Sequence, residues 1–157
     1  MKKSRYLLSM CGLAVLTACS SMPISRLKHT EPGNRAEVVI YRESSFNAGG
    51  VSLALGIDGE AIATLSNSDY AAVYIPPGTY SFFVRARSAE PTTLKLEIKA
   101  SQRRCMKTAA DSENMIKVLV PVAMMVSGYR FTLDEVPCPS NGELAKLSRV
   151  TVEYQTE

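Results

Sequence analysis

The chain has 157 residues, of which 46% are hydrophobic, so it is long enough to fold as one ordinary domain with a real core. Three of its 18 Lys and Arg residues lie within the first five positions, which leaves 15 basic against 15 acidic residues in the remainder. This balance argues against a nucleic acid or an anionic membrane face as the partner.

The first 18 residues have the layout of an export signal. Lys2, Lys3 and Arg5 form a short positive region, residues 6–15 form an apolar run, and small residues follow. The apolar run is shorter than the roughly 20 residues that a bilayer-spanning helix needs. We therefore expect residues 1–18 to be a signal peptide that is cleaved off, which leaves 139 residues.

The processing site is more specific than that of an ordinary secreted protein. Leu16-Thr17-Ala18-Cys19 resembles the lipobox of bacterial lipoproteins, and this resemblance implies that Cys19 is lipidated and becomes the first residue. The alternatives are an ordinary signal peptide that happens to precede Cys19, and Cys11, which follows the large residue Met10. Ser20 after the anchor resembles the default outer-membrane address of such lipoproteins, on the periplasmic side.

Residues 19–35 are expected to form the lipidated N-terminus and a flexible tether, since they contain Pro23, Pro32, Gly33 and scattered polar residues. His29, the only histidine of the chain, lies in this tether, where a catalytic imidazole would be poorly positioned.

From residue 36 onward, apolar runs and period-two alternation predict β-strands. They are expected within residues 38–41, 51–57, 61–65, 71–75, 80–86, 94–98, 104–108, 129–133 and 150–154. Val38–Tyr41 is continuously apolar, as in a strand covered on both faces, whereas residues 51–57 alternate as in a half-buried strand. Asp58-Gly59 predicts a tight hairpin, and Pro76-Pro77-Gly78 a sharp strand end.

Two segments of the C-terminal third depart from this pattern. Met115–Val126 is apolar but interrupted by Pro121, which indicates a buried or edge strand, with its methionines filling the core or forming an adaptable binding surface. Ser140 and Glu143 have capping-box spacing, and Ser140–Leu147 therefore predicts a helix of about two turns.

Cys105 and Cys138 are the two cysteines that remain beyond the anchor. An exported chain is in an oxidising compartment, where an even pair usually bonds, so a Cys105–Cys138 disulfide is expected. Because there is one histidine and no Cys-x-x-Cys pair, we expect no metal and no cofactor.

Short strands with Gly and Pro turns and little helix predict a mainly β domain over residues 36–157, a small antiparallel two-sheet β-sandwich with one short helix near the C-terminus.

The chain resembles the bacterial lipoprotein family called domain of unknown function 2846 in three motifs. They are Val39-Ile40-Tyr41-Arg42, the Asp58-Gly59 hairpin and Pro76-Pro77-Gly78-Thr79-Tyr80. The resemblance spans about residues 38–88 and implies a small β-rich envelope lipoprotein, with no activity or site residues to carry over. That family's later aromatic pair is absent here, where residues 102–106 read Gln-Arg-Arg-Cys-Met.

The sequence favours a non-catalytic interaction or structural module, held to membrane lipid through Cys19 and facing a possible envelope protein partner. The first alternative is a periplasmic module that binds a sugar, lipid or peptide ligand; the second is a hydrolase of envelope material. Asp134 and Glu135 are adjacent on a predicted strand and so point to opposite faces, unlike a catalytic carboxylate pair. Ligand-binding residues and the oligomeric state are not indicated. Six tyrosines fill the core or bind a ligand: Tyr41, Tyr70, Tyr74, Tyr80, Tyr129 and Tyr154.

Overall fold

The computed structural model describes residues 24–28, 32–112, 114 and 128–154, so Cys19, His29 and Met115–Val126 lie outside the described residues. A 3-10 helix, Pro32–Asn34, precedes the first strand. The strands are β1 (Ala36–Tyr41), β2 (Leu53–Ile57), β3 (Glu60–Leu65), β4 (Asp69–Ile75), β5 (Gly78–Ala86), β6 (Thr92–Ile98), β7 (Arg103–Ala110), β8 (Phe131–Val136) and β9 (Ser148–Val150).

These strands form two sheets that pack face to face. One has five strands in the order β8-β7-β1-β4-β9, and the other has four in the order β3-β2-β5-β6. Most neighbours are antiparallel, while β1 with β7 and β4 with β9 are parallel. One short helix, α1 (Asn141–Leu144), lies near the C-terminus. The prediction of a mainly β two-sheet sandwich with one short C-terminal helix is therefore confirmed.

The central strand β1 is buried on both faces, as the apolar run predicted. Val38 and Ile40 are fully buried in the core between the sheets. Val39 points the other way and packs with Cys105 and Leu144 in a second cluster on the outer face of the five-stranded sheet. α1 therefore covers a face that would otherwise expose a stripe of apolar side chains.

The prediction that residues 51–57 form a half-buried strand is wrong, because every residue of β2 is buried. Gly56 pairs with Phe83 of β5, and a Cβ built on Gly56 would lie only 2.1 Å from atoms of the Phe83 ring. The Phe83 ring therefore lies directly over the backbone of Gly56 and covers the outer face of β2. Glycine has no side chain that would keep the ring away.

The C-terminal elements are shorter than the alternation indicated. α1 is one turn instead of two, and it begins with the predicted capping box of Ser140 and Glu143. The backbone N–H of Ser148 donates to the carbonyl of Ser68, and the pairing of β9 with β4 begins there. Because residue 148 is already in a strand, the helix cannot continue to a second full turn. The last predicted strand is shifted toward the N-terminus, and Tyr154 forms only an isolated bridge.

The strand directions give the sandwich two distinct ends. At the loop end lie the β1–β2 loop (residues 42–52), the β3–β4 turn (66–68) and the β5–β6 turn (87–91). At the tether end lie the Asp58-Gly59 hairpin, the β4–β5 turn and residues 99–102.

Residues 24–28 of the predicted tether lie against the tether end. Leu27 forms a parallel bridge with Tyr154 and packs against the core. The backbone N–H of Ser25 donates to the carbonyl of Ala61 at 2.6 Å, and Arg26 pairs with Glu153 at 2.9 Å. The chain thus reaches the domain about five residues after Cys19.

The predicted disulfide between Cys105 and Cys138 is confirmed. Cys105 is buried on β7, and Cys138 lies in the exposed segment between β8 and α1. The bond fixes that segment to the five-stranded sheet, and so it holds α1 over Val39.

We predict that replacing both cysteines, as in Cys105→Ala/Cys138→Ala, lowers the free energy of unfolding by about 3.5–4 kcal/mol, the value that loop-closure entropy gives for a loop of this length. Urea denaturation of both proteins measures the difference. Thiol labelling of denatured, unreduced wild-type protein should find both cysteines blocked, and two reactive thiols there would contradict the bond.

Candidate functional site

A groove with a cavity volume of about 600 Å³ lies between α1 and the loop end. Tyr41, the last residue of β1, lines it where the strand emerges from under α1. Its other walls come from the β1–β2 loop, the β3–β4 turn, the disulfide segment and α1. They include Glu43, Ser44, Ser68, Pro137, Cys138, Pro139, Glu143, Leu144, Lys146 and Leu147.

The carboxylates of the groove have local partners. The Lys107 ammonium donates to the Glu43 carboxylate at 2.6 Å, and this bond raises the pKa of Lys107. The Glu143 carboxylate accepts from the backbone N–H and the hydroxyl of Ser140 at 2.7 and 2.8 Å, and these bonds lower the pKa of Glu143. Glu143 is therefore held ionised at neutral pH. Both carboxylates are fixed by these bonds as acceptors on the groove wall.

Tyr41 is the one buried aromatic residue of the groove, with 7% of its surface exposed. Burial raises the pKa of its hydroxyl, while the nearby Lys107 acts in the opposite direction. The hydroxyl is therefore protonated at neutral pH. A neutral hydroxyl, two carboxylates, Lys146 and apolar side chains together suit a ligand or peptide with both polar and apolar groups.

Arg42 fixes the loop that forms one side of this groove. It continues the alternation of Val38 and Ile40 on the core-facing side of β1, and its side chain is 1% exposed. The guanidinium donates to the carbonyls of Val51 and Ala48, the latter at 2.6 Å, and lies 4.9 Å from the centre of the Phe131 ring. Its charge is met by carbonyl dipoles and a ring face.

Sequence reasoning missed both the groove and the role of Arg42. The alternation of residues 38, 40 and 42 carried the signal for an inward-pointing Arg42. The groove had no such signal, because its walls come from segments between 41 and 147 that only the tertiary structure brings together.

The residues singled out from the sequence have mainly structural contacts. Tyr74 donates its backbone N–H to the Tyr154 hydroxyl at 2.8 Å, and the Tyr80 hydroxyl donates to the carbonyl of Pro76 at 2.9 Å. Tyr80 and Tyr154 pack against the core, as the core-filling interpretation expects. The Tyr74 side chain instead makes polar contacts, since its hydroxyl donates to the Glu37 carboxylate at 3.3 Å and its ring lies beneath the Arg35 guanidinium. Of the carboxylates considered for hydrolysis, Glu135 forms an ion pair with Arg104, and both Glu135 and Asp134 are exposed.

Within the described ranges, no group of three or more His, Cys, Asp and Glu side chains is arranged to hold a metal ion. The same residues include no helix that is long and apolar enough to cross a membrane.

No family model matches this chain, and no curated protein matches it.

Replacing Arg42 with methionine, which keeps an apolar stem but removes the donors, should lower the free energy of unfolding by about 2–3 kcal/mol, because charged hydrogen bonds to buried carbonyls are lost. Amide exchange in residues 44–52 should accelerate as well. Urea denaturation and hydrogen exchange measure the two effects, with Arg149→Met on the exposed surface as the control. Equal stability of the two variants would contradict the role given to Arg42.

Proposed function

We propose that this chain is a bacterial lipoprotein, lipidated at Cys19 and anchored in the outer membrane on the periplasmic side, and that its β-sandwich is a non-catalytic interaction module. The lipobox resemblance of Leu16–Cys19 supports the anchor, and Ser20 supports the outer-membrane address. The resemblance of residues 38–88 to the lipoprotein family named above points the same way.

The observation that carries the binding role is the groove beside α1. Its volume of about 600 Å³ is within the usual range of binding pockets. Its walls are held in place by a disulfide at Cys138, by the Glu143 capping box and by the Lys107–Glu43 ion pair. A cleft with prearranged walls loses little conformational entropy when a partner enters, which favours binding.

The charged groups of the groove support binding more than catalysis. A general acid or base needs a pKa near the working pH, and a nucleophile needs an adjacent base. Here the bonds to Ser140 lower the pKa of Glu143, and the bond to Glu43 raises the pKa of Lys107. Both pKa values therefore move further from neutral pH. Glu43 and Glu143 line the groove and serve as recognition groups on its wall, while Lys107 holds Glu43 in place.

A second candidate is a periplasmic module that takes a small ligand, and the size and mixed lining of the same groove favour it. The two roles differ in what occupies the groove. A segment of a partner protein would extend beyond it onto the surrounding loops, whereas a sugar, lipid or free peptide would be enclosed within it.

We expect that a large side chain in the groove prevents the partner protein from binding. Ser44 is exposed at the groove wall, so Ser44→Trp should obstruct it, while Thr93→Trp on the exposed face of β6 is a matched control. Crosslinking in intact cells, followed by affinity purification, should recover one dominant protein with the wild type and the control, and not with Ser44→Trp.

Recovery of the same protein with Ser44→Trp would contradict a partner in the groove. The ligand-binding role would be favoured instead by two results together. The lipoprotein would be recovered without a protein partner, and native mass spectra would show a bound small molecule that is missing from the Ser44→Trp variant.

A further inference from the structure

Phe46 is the large apolar side chain that the described surface exposes most completely. It lies in the β1–β2 loop, two residues beyond Ser44 of the groove. A single exposed apolar side chain is common on soluble proteins and indicates nothing by itself. Three further observations give this one a meaning: the fixed backbone beneath it, the composition around it and its position in the fold.

The backbone that presents Phe46 is held from two sides. On the inner side, the Arg42 guanidinium binds the carbonyls of Ala48 and Val51. On the outer side, the Asn67 side chain brackets Ser45, accepting from its N–H at 3.0 Å and donating to its carbonyl at 3.2 Å. The loop therefore keeps its shape while its apolar side chain stays in water. This is the arrangement of a preorganised anchor, because little further ordering is required on binding.

The two loop segments next to Phe46 are uncharged, although Glu43 and Asp69 flank them and the β5–β6 turn contains Arg87 and Glu90. Residues 44–52 and 66–68 contain only Ser, Asn, Gly, Ala and Val besides Phe46, without any Lys, Arg, Asp or Glu. An anionic lipid surface or a nucleic acid would be met by basic side chains. An aromatic residue surrounded by Ser, Asn and Gly is instead the composition of protein-binding loops, and depletion of charge is typical of the centre of a protein interface.

The fold places Phe46 opposite the proposed anchor. Its loop lies at the loop end, whereas residues 24–28 are bound at the tether end. The nine residues of β5 run between these ends and span roughly 25 Å. Cys19 is five residues before Ile24, a distance that covalent geometry limits to about 18 Å. With Cys19 in the bilayer, the short tether keeps the tether end within about 18 Å of the lipid, and Phe46 lies at the opposite end of the sandwich.

From these observations we infer that the loop of residues 44–52 is a docking loop whose Phe46 ring inserts into an apolar pocket of another protein. The partner approaches from the side away from the anchoring membrane and covers the neighbouring groove. The inference rests on the proposed anchoring through Cys19, and it specifies which surface of the module binds and what chemistry the partner must offer.

Site-specific photocrosslinking in intact cells tests the inference. A photoreactive phenylalanine analogue is placed at position 46, at position 93 on the exposed face of β6 as a control, and at position 24. We expect position 46 to join one discrete protein that position 93 does not reach. Crosslinks from position 46 to lipid, to a second copy of this chain, or to nothing would overturn the inference.

Position 24 separates failure of the anchor from failure of the docking loop. Ile24 is half exposed at the tether end and should crosslink to lipid. Lipid at position 24 with no protein at position 46 would overturn the docking loop and leave the anchor standing. A protein at position 46 in a chain whose intact mass shows no lipid on Cys19 would overturn the anchor instead.

The protein identified in this way is then purified, and its affinity for lipidated wild-type and variant chains is measured. Phe46→Ala should weaken binding about 30-fold, as expected for an aromatic anchor at the centre of an interface. Thr93→Ala should leave the affinity unchanged. Because Phe46 makes no buried contact, Phe46→Ala should also keep the melting temperature, and unchanged affinity for that variant would overturn the role of the ring.

Discussion

The burial of β1 on both faces is the constraint on which the rest of the structure depends. Val38 and Ile40 require a second sheet on one side, and Val39 requires a cover on the other. α1 supplies that cover, although a single helical turn has little stability of its own. The disulfide at Cys138 and the pairing of β9 with β4 hold the turn where Val39 needs it.

The features proposed for binding lie where β1 ends. Tyr41 is its last residue and lines the groove just beyond the edge of α1. Arg42, the next residue, turns inward and holds the loop that carries Phe46. The groove and the exposed ring are therefore neighbours because one buried strand ends between them. A partner that bound both would contact a surface whose backbone is held by Arg42 and Asn67.

Sequence reasoning found the features that local chemistry determines. Alternation located most strands, the Ser140–Glu143 spacing indicated the helix cap, and the expected export to an oxidising compartment indicated the Cys105–Cys138 bond. It did not find the features that depend on which strands are neighbours. The parallel pairing of β1 with β7 joins segments more than 60 residues apart. The outer face of β2 is buried because the Phe83 side chain of the neighbouring strand lies over Gly56.

The same distinction applies to the candidate site and to the tether. Composition indicated a flexible segment over residues 19–35, since Pro and polar residues favour irregular chain. Leu27 nevertheless finds an apolar surface at the tether end, and Ser25 finds an unpaired carbonyl on the edge strand β3. Such contacts depend on a sheet edge that exists only after folding, so the sequence of the segment alone did not reveal them.

The central claim is that the module is anchored at its tether end and presents its loop end away from the membrane. Energy transfer in vesicles tests it most directly, using lipidated protein with a donor dye at Lys28→Cys or Asn47→Cys and an acceptor on the lipid headgroups. The account predicts strong transfer from position 28 and much weaker transfer from position 47, about 20 Å or more farther away, with the Cys19→Ser protein not retained on the vesicles. Equal transfer from the two positions, or stronger transfer from position 47, would contradict it.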